Sequence, residues 1–393
     1  MELAIREFES QLTNDYKRFT DDNININVRS ELANNDLYSN LVPYIQKNGD
    51  DNLYPTSGEG RKKLLAYSIY DILALNFQER KINLFMIEEP ENNLHRSMQI
   101  ALSNTIFNNS KYKFLFATTH SPFILYEMDN INLIRIYNNN KIDTASNLFE
   151  IPKEYSDSKE MLNRNLSEAI FADRVLLVEG PSELVLFRKV LNTVTPLFES
   201  KGGYILDVGG IGFNFYYSIL TKLKISTIIK TDNDLRIPKG KNEFTLLGFK
   251  RVEKYSKTNE LPIDFLSIKS TIIPQELKGK PIKDYSKAEK IIIKRNLYEI
   301  YKDKLDKIRA KNIFLSKVDL ENDLDEVMHD KLIEYIKINQ TAEDNEKESD
   351  SIDSVEYLQK AKKNHMVELL KYFTQEDCKS IYDNYNFECL KRI

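Results

Sequence analysis

The sequence is poor in cysteine. Its two residues, Cys378 and Cys389, are too few for a disulfide framework, and no Cys/His cluster has zinc spacing. No run of about 18 apolar residues occurs, so no membrane span is expected. The start, Met1-Glu2-Leu3-Ala4-Ile5-Arg6-Glu7, lacks the basic-then-apolar order of a secretory signal. Together these absences point to a reducing cytoplasm. Nor does any G-x-x-x-x-G-K-[ST] segment occur, so there is no P-loop to cradle nucleotide phosphates. A basic excess is missing too. A net charge of −4 argues against indiscriminate coating of nucleic acid. It leaves DNA chemistry open, because an acidic, metal-filled site bordered by local basic patches can hold a phosphate backbone.

What is present suits two domains. The chain has 393 residues, 41% hydrophobic and 30% charged, enough for real cores under a busy surface. Residues 1–50 read as helix, and an amphipathic helix is expected over 61–76. Leu84-Phe85-Met86-Ile87 and Lys113-Phe114-Leu115-Phe116-Ala117 read as buried strands on either side of a helix over 92–109, and Leu133–Tyr137 reads as a third. Asn138–Lys141 is expected to turn, and 146–170 to connect and end in a helix. Strands at 175–178, 204–208 and 227–231 then alternate with helices at 182–191 and 212–223, which predicts a parallel sheet. Residues 240–310 read as an insertion with one long helix over 286–308. A strand at 312–315 follows, then helices at 320–338 and 354–372 around a polar loop at 340–354.

Three acidic segments follow strands. In Val178-Glu179-Gly180-Pro181-Ser182-Glu183, Glu179 ends a strand, where parallel sheets bind ligands. Ser182 is a plausible helix cap, and Glu183 lies in the first helical turn, so both carboxylates can face one crevice. In Thr231-Asp232-Asn233-Asp234, strand periodicity puts both aspartates on one side. Such oxygens suit Mg2+ or Mn2+. Asp319, Glu321 and Asp323 continue at period two after the strand at 312–315. Each segment alone has a plain structural reading: a helix-dipole glutamate, an Asx-rich turn, an acidic helix start. The order is more telling. A strand-end Glu, a strand ending in Asp207-Val208-Gly209-Gly210 and a strand-end D-x-D together resemble the Toprim domain over about residues 171–240.

The wider layout resembles the OLD-family ABC ATPase–Toprim nucleases, and in particular the nuclease subunit of the Gabija anti-phage system. Tyr54-Pro55-Thr56-Ser57-Gly58, Ile87-Glu88-Glu89-Pro90-Glu91, Leu94–Ser103, Ile229–Arg236, Asp319–Leu324 and Tyr357-Leu358-Gln359-Lys360 carry the likeness. It implies two Mg2+ or Mn2+ ions. Glu179, Glu183, Asp232 and Asp234 would serve one, and Asp319 and Glu321 the other. Lys362 would be the catalytic lysine, with Lys360 a competitor on the same helix. In the first half, Ser57, Gly58 and Gly60 resemble an ABC signature, Glu88 and Glu89 a Walker B end, and His120 a switch histidine.

The expected fold is therefore α/β. The carboxy-terminal half of an ABC-type ATPase domain (1–145) and a connector (146–170) precede a Toprim nuclease domain (171–393) with a helical insertion. With no P-loop motif, the chain is expected to lack the amino-terminal P-loop part of the ATPase and to use ATP only together with it, supplied for instance by a separate P-loop-bearing chain. The resemblance further implies double-stranded DNA as substrate, a homo-oligomer and a helicase-like second subunit. Two other readings remain: a topoisomerase or primase, and a regulatory remnant that assembles without cutting.

Overall fold

The computed structural model describes residues 2–18, 24–30, 41–47, 49, 51–55, 58–76, 84–108, 114–138, 141–209, 212–343 and 353–393. These divide into two units, one of residues 1–133 and 148–171, the other of 134–147 and 172–393.

The first unit opens with helix α1 (Glu2–Tyr16), strands β1 (Ile24–Ser30), β2 (Leu41–Lys47) and β3 (Leu53–Pro55), and helix α2 (Glu59–Asn76). The all-helical reading of residues 1–50 is thus corrected. Ile24, Ile26 and Val28 alternate with polar residues at period two, and β1, β2 and β3 pair antiparallel in that order. Next come β4 (Leu84–Glu88), α3 (Arg96–Asn108) and β5 (Phe114–Thr118), the two strands pairing in parallel. Helix α3 starts later than the predicted 92, because Asn93 takes a positive φ of 64°. The reading of β4 and β5 as buried strands is also corrected. One face of the pair packs on the core through Ile87 and Leu115, while Leu84, Met86, Phe114 and Phe116 are exposed.

Strands β6 (Ile131–Asn138) and β7 (Ile142–Phe149) form a two-stranded sheet, so the segment expected to start a connector at 146 is still strand. Residues 139–140 of the expected turn lie outside the described residues. Helix α4 (Lys159–Ala169) ends the first unit's share of the chain.

The second unit runs β8 (Arg174–Val178), α5 (Pro181–Val194), β9 (Gly203–Asp207), α6 (Phe213–Lys222) and β10 (Ser226–Thr231). A hairpin of β11 (Leu235–Arg236) and β12 (Thr245–Leu246) leads into α7 (Leu247–Ser256), α8 (Lys269–Ile272), α9 (Lys287–Ile300) and α10 (Lys302–Arg309). Strand β13 (Ile313–Leu315) and helices α11 (Leu320–Glu343), α12 (Ser354–Ala361), α13 (Lys363–Leu369) and α14 (Gln375–Asp383) follow, with a final 3-10 segment over Tyr385–Arg392. The four main strands lie in the order β13-β10-β8-β9, all parallel. Val175, Leu176, Leu177 and Val178 are all fully buried, as strands covered on both faces must be.

Three helix expectations need correction. The long insertion helix is two helices, broken at Tyr301. The helix over 354–372 is broken at Lys362, whose backbone takes φ 35° and ψ −108°. At α5, Gly180 rather than Ser182 stands at the cap, with Pro181 in the first turn where its missing N–H costs nothing. The loop expected at 340–354 lies mostly on residues 344–352, outside those described.

Candidate metal centre

The topology explains why acids separated in sequence meet. Parallel neighbours end on the same edge, and each of the four strands delivers a carboxylate there. Glu179 follows β8, Asp207 ends β9, Asp232 and Asp234 follow β10, and Asp319 follows β13. The register pairs Val178 with Asp207 and Thr231 with Leu315, so these ends are level. Glu183 and Glu321 join from the first turns of α5 and α11.

Hydrogen bonds fix the arrangement. The Oε1 of Glu179 accepts from the Thr231 hydroxyl at 2.5 Å and the Asp232 N–H at 2.9 Å, tying the ends of β8 and β10 together. Asp232 accepts from the Ser316 hydroxyl at 3.1 Å. Between the two aspartates, Asn233 is wholly buried and donates its amide to the carbonyls of Lys294 and Lys317, both at 3.0 Å. Asp319 accepts at Oδ1 from the N–H and side-chain amide of Asn322, and at Oδ2 from Gln359 at 3.0 Å.

Burial and mutual repulsion disfavour charge here. Burial, then the charges of Glu183, Glu179, Asp319 and Asp234, push the Asp232 carboxyl well above the usual range. Burial, then Glu179, Glu321 and Asp207, push Glu183 up to about 8. Burial and Asp319 likewise raise Glu321, and burial raises Asp207. The six acidic positions read from the sequence therefore share one electrostatic field, and Asp207 belongs with them. Its strand-end position was the available signal. The period-two extension to Asp323 is corrected: α11 has begun, and Asp323 turns inward to Lys230 at 2.9 Å, both side chains almost fully buried.

The cations are arranged unequally. Lys362 sits at the break between α12 and α13, and its charge acts on Glu321, as does that of Lys287. Lys360 is exposed and pairs with Glu356 at 3.6 Å, one helical turn back. Lys363 faces Asp207. Arg251, on α7, reaches Glu179 at 2.5 Å and Asp234 at 3.0 Å. Sequence reasoning missed it, since α7 lies in the stretch read as an insertion.

An oxygen-only donor set of this kind suits Mg2+ or Mn2+, hard cations that favour carboxylates and water. Among the described residues no group of three such side chains is set to hold an ion as the side chains stand. The cation in contact with Glu179 and Asp234 is Arg251. The donor chemistry fits a divalent ion.

The first unit gathers its own motif residues. Gly60 in α2 approaches the 89–95 turn so closely that a Cβ there would stand 2.6 Å from the Asn93 carbonyl. Glu88 ends β4, and Glu89, at φ 45°, lies 3.3 Å from the His120 Nε2. Glu91, not singled out from the sequence, accepts the His120 N–H at 2.8 Å, and Lys63 donates to the Glu89 carbonyl at 2.7 Å. A hydrogen bond with Glu91 raises the Glu89 carboxyl. Gly58 stands one residue before α2, and Ser57 lies outside the described residues.

Known proteins align with this division. The family described as "Overcoming lysogenization defect protein-like, TOPRIM domain" matches residues 170–234, and the AAA ATPase domain family matches residues 1–125. The expectation that the chain lacks the amino-terminal P-loop part of the ATPase is not borne out, since this match covers residues 1–125. Endonuclease GajA of Bacillus cereus strain VD045 is 41% identical over 99% of this chain and 64% of its own length. Endonuclease GajA of Bacillus cereus strain HuB5-5 is 24% identical over 55% of this chain and 36% of its own length. The chain thus spans less than two thirds of either relative. The carboxy-terminal region of the Burkholderia pseudomallei OLD protein is 15% identical, with a TM-score of 0.33, over 56% of this chain and 96% of that one.

Proposed function

We propose that the chain is an OLD-family ATPase–Toprim protein and a metal-dependent endonuclease that nicks or cuts double-stranded DNA in anti-phage defence of the Gabija type. The observation that supports this most is the set of carboxylates at the ends of four adjacent parallel strands around the half-buried Asp232.

In this reading Glu179, Glu183, Asp232 and Asp234 hold one Mg2+ or Mn2+, and Asp319 and Glu321 hold the other. When bound, the ions supply charge stabilisation to the attacking and leaving oxygens of an in-line displacement. The protein's own share is positional. Thr231 and the Asp232 N–H orient Glu179, Ser316 orients Asp232, and Asn322 with Gln359 orients Asp319. Lys362 stabilises negative charge developing on the phosphate. Lys287 and Lys363, whose charges also act on this cluster, receive the flanking phosphates.

The whole assembly is proposed to be a cytoplasmic homo-oligomer that works with a helicase-like second subunit. No helix among the described residues is long and apolar enough to cross a membrane. For the first unit, whose sequence has no G-x-x-x-x-G-K-[ST] segment, we propose weak ATP binding and no turnover by this chain alone. Tight binding in calorimetry would overturn that.

Supercoiled plasmid tests the main claim. With Mg2+ or Mn2+ the chain should yield nicked or linear product, and Asp232→Ala should yield none. Intact plasmid in both metals would favour a non-catalytic role. Cutting by Asp232→Ala would remove the site assignment, and religated topoisomers would indicate a topoisomerase instead.

A further inference from the structure

The position of Arg251 poses a chemical problem. Its guanidinium donates from Nη1 to Glu179 Oε1 at 2.5 Å and to the Thr231 hydroxyl at 3.0 Å, and from Nη2 to Asp234 Oδ2 at 3.0 Å. It therefore bridges two of the four carboxylates read as ligands of one ion. Guanidinium has five N–H donors, no lone pair to offer a metal, and stays protonated. It cannot share those oxygens with a divalent cation without two like charges meeting at contact distance. Either the ion or Arg251 has them.

The surroundings show which part can move. Helix α7 is anchored to the D-x-D turn through its backbone: the N–H groups of Leu247 and Gly248 donate to the Asp234 carbonyl at 2.9 and 3.3 Å. At Gly248 a Cβ would stand 2.4 Å from the Asp232 carbonyl oxygen, so only glycine lets the helix lie this close. The helix start is thus fixed on the site. The Arg251 side chain is not locked in this way, being 31% exposed. The other cation on this strand end, Lys230, is 3% exposed against Asp323 at 1% and has no path out.

We propose that Arg251 is a built-in counter-ion. It holds Glu179 and Asp234 while no divalent ion is present and yields them when one binds. The released fork of donors, still carried by the fixed helix, then faces the site and is suited to a DNA phosphate oxygen. This rests on the reading of the site as a metal centre. It adds that the ion-free site is neutralised internally and that metal affinity is attenuated by a competing side chain.

The test is Mn2+ binding to the full chain, read by calorimetry, together with thermal unfolding with and without Mn2+. Arg251→Gln should bind Mn2+ roughly tenfold more tightly than the unaltered chain, the factor matching loss of a competing charge-assisted hydrogen-bonded pair. Its ion-free form should melt at a lower temperature than the unaltered ion-free chain, and Mn2+ should raise its melting temperature by the larger amount. Arg251→Lys keeps the charge without the fork and should fall between. Equal or weaker Mn2+ binding by Arg251→Gln, in a chain that does bind Mn2+, would end the proposal and leave the metal centre standing. No Mn2+ binding by either form would sink both. An Arg251→Gln chain that fails to fold even with Mn2+ would make Arg251 a structural brace and also end the proposal.

Discussion

The two units each contain parallel strands, yet they treat them differently. In the second unit Val175 through Val178 on β8 and Thr227 through Thr231 on β10 are buried without interruption. In the first, no residue of β4 or β5 is fully buried: Phe85, Ile87 and Leu115 are half-buried, and Met86 stands 76% exposed. A strand covered on both faces is a rigid support for side chains at its end. The second unit uses this support to hold mutually repelling acids in place, a placement that burial makes unfavourable and that only a well-packed sheet can sustain. The first unit's charged residues are more open: His120 is 86% exposed and meets Glu89 across 3.3 Å. Packing, then, separates a site built in advance from one left accessible.

Four measurements put this contrast to the test. The largest effect is expected at the end of the closed sheet. Lys362→Ala should slow plasmid cutting by roughly a thousandfold, as loss of a charge stabilising the transition state does, while Lys360→Ala should stay within about twofold. Equal loss in both would mean that the break at Lys362 does not set the two apart. Next, Leu176→Ala in the covered sheet should lower unfolding free energy by about 2–5 kcal/mol in urea titrations. A cost below that range would say the sheet is less well packed than it looks.

The third effect concerns pH and the second unit's helical cover. Although burial pushes the other way, hydrogen bonds from Lys331, Thr374 and Tyr335 hold the Asp377 carboxyl down at about 2, against an ordinary 3.8. A depressed carboxyl stabilises the fold above its unfolded value, and that stability is lost as pH falls from about 4 through about 2. Asp377→Asn should cost roughly 2 kcal/mol at neutral pH. The variant's deficit should vanish below pH 2; a deficit independent of pH would assign the effect to packing. The smallest effect is Met86→Ala on the open face, within about 0.5 kcal/mol. If it costs as much as Leu176→Ala, that face is covered in solution and the contrast between the units disappears.

The same pair of strands shows what could be read in advance. Leu84-Phe85-Met86-Ile87 and Val175-Leu176-Leu177-Val178 are both short apolar runs bounded by polar residues, and both predict a strand covered on two faces. Both are strands. What covers them is decided by distant segments, so only one is buried throughout. At the site, Glu179, Asp232 and Asp234 were legible because a carboxylate following a parallel strand is a local pattern. Arg251 was not, because nothing local distinguishes it from other cations between 240 and 310; its role comes from Gly248 docking α7 on the D-x-D turn. The break at Lys362, which sets it apart from Lys360 on α12, was not legible either, because no local breaker residue stands between Ala361 and Lys363.

The strand order β13-β10-β8-β9 has a kinetic consequence. Strand β13 meets β10 only after the entire stretch from Asp232 to Asn312 has been made and folded back. Closing so long a loop is entropically costly, and such distant pairings tend to form late. Glu179, Asp207 and Asp232 can assemble on their neighbouring strands before Asp319 and Glu321 arrive. A partly folded chain therefore carries the acids of β8, β9 and β10 without Asp319 and Glu321, so the candidate centre is complete only when the fold is.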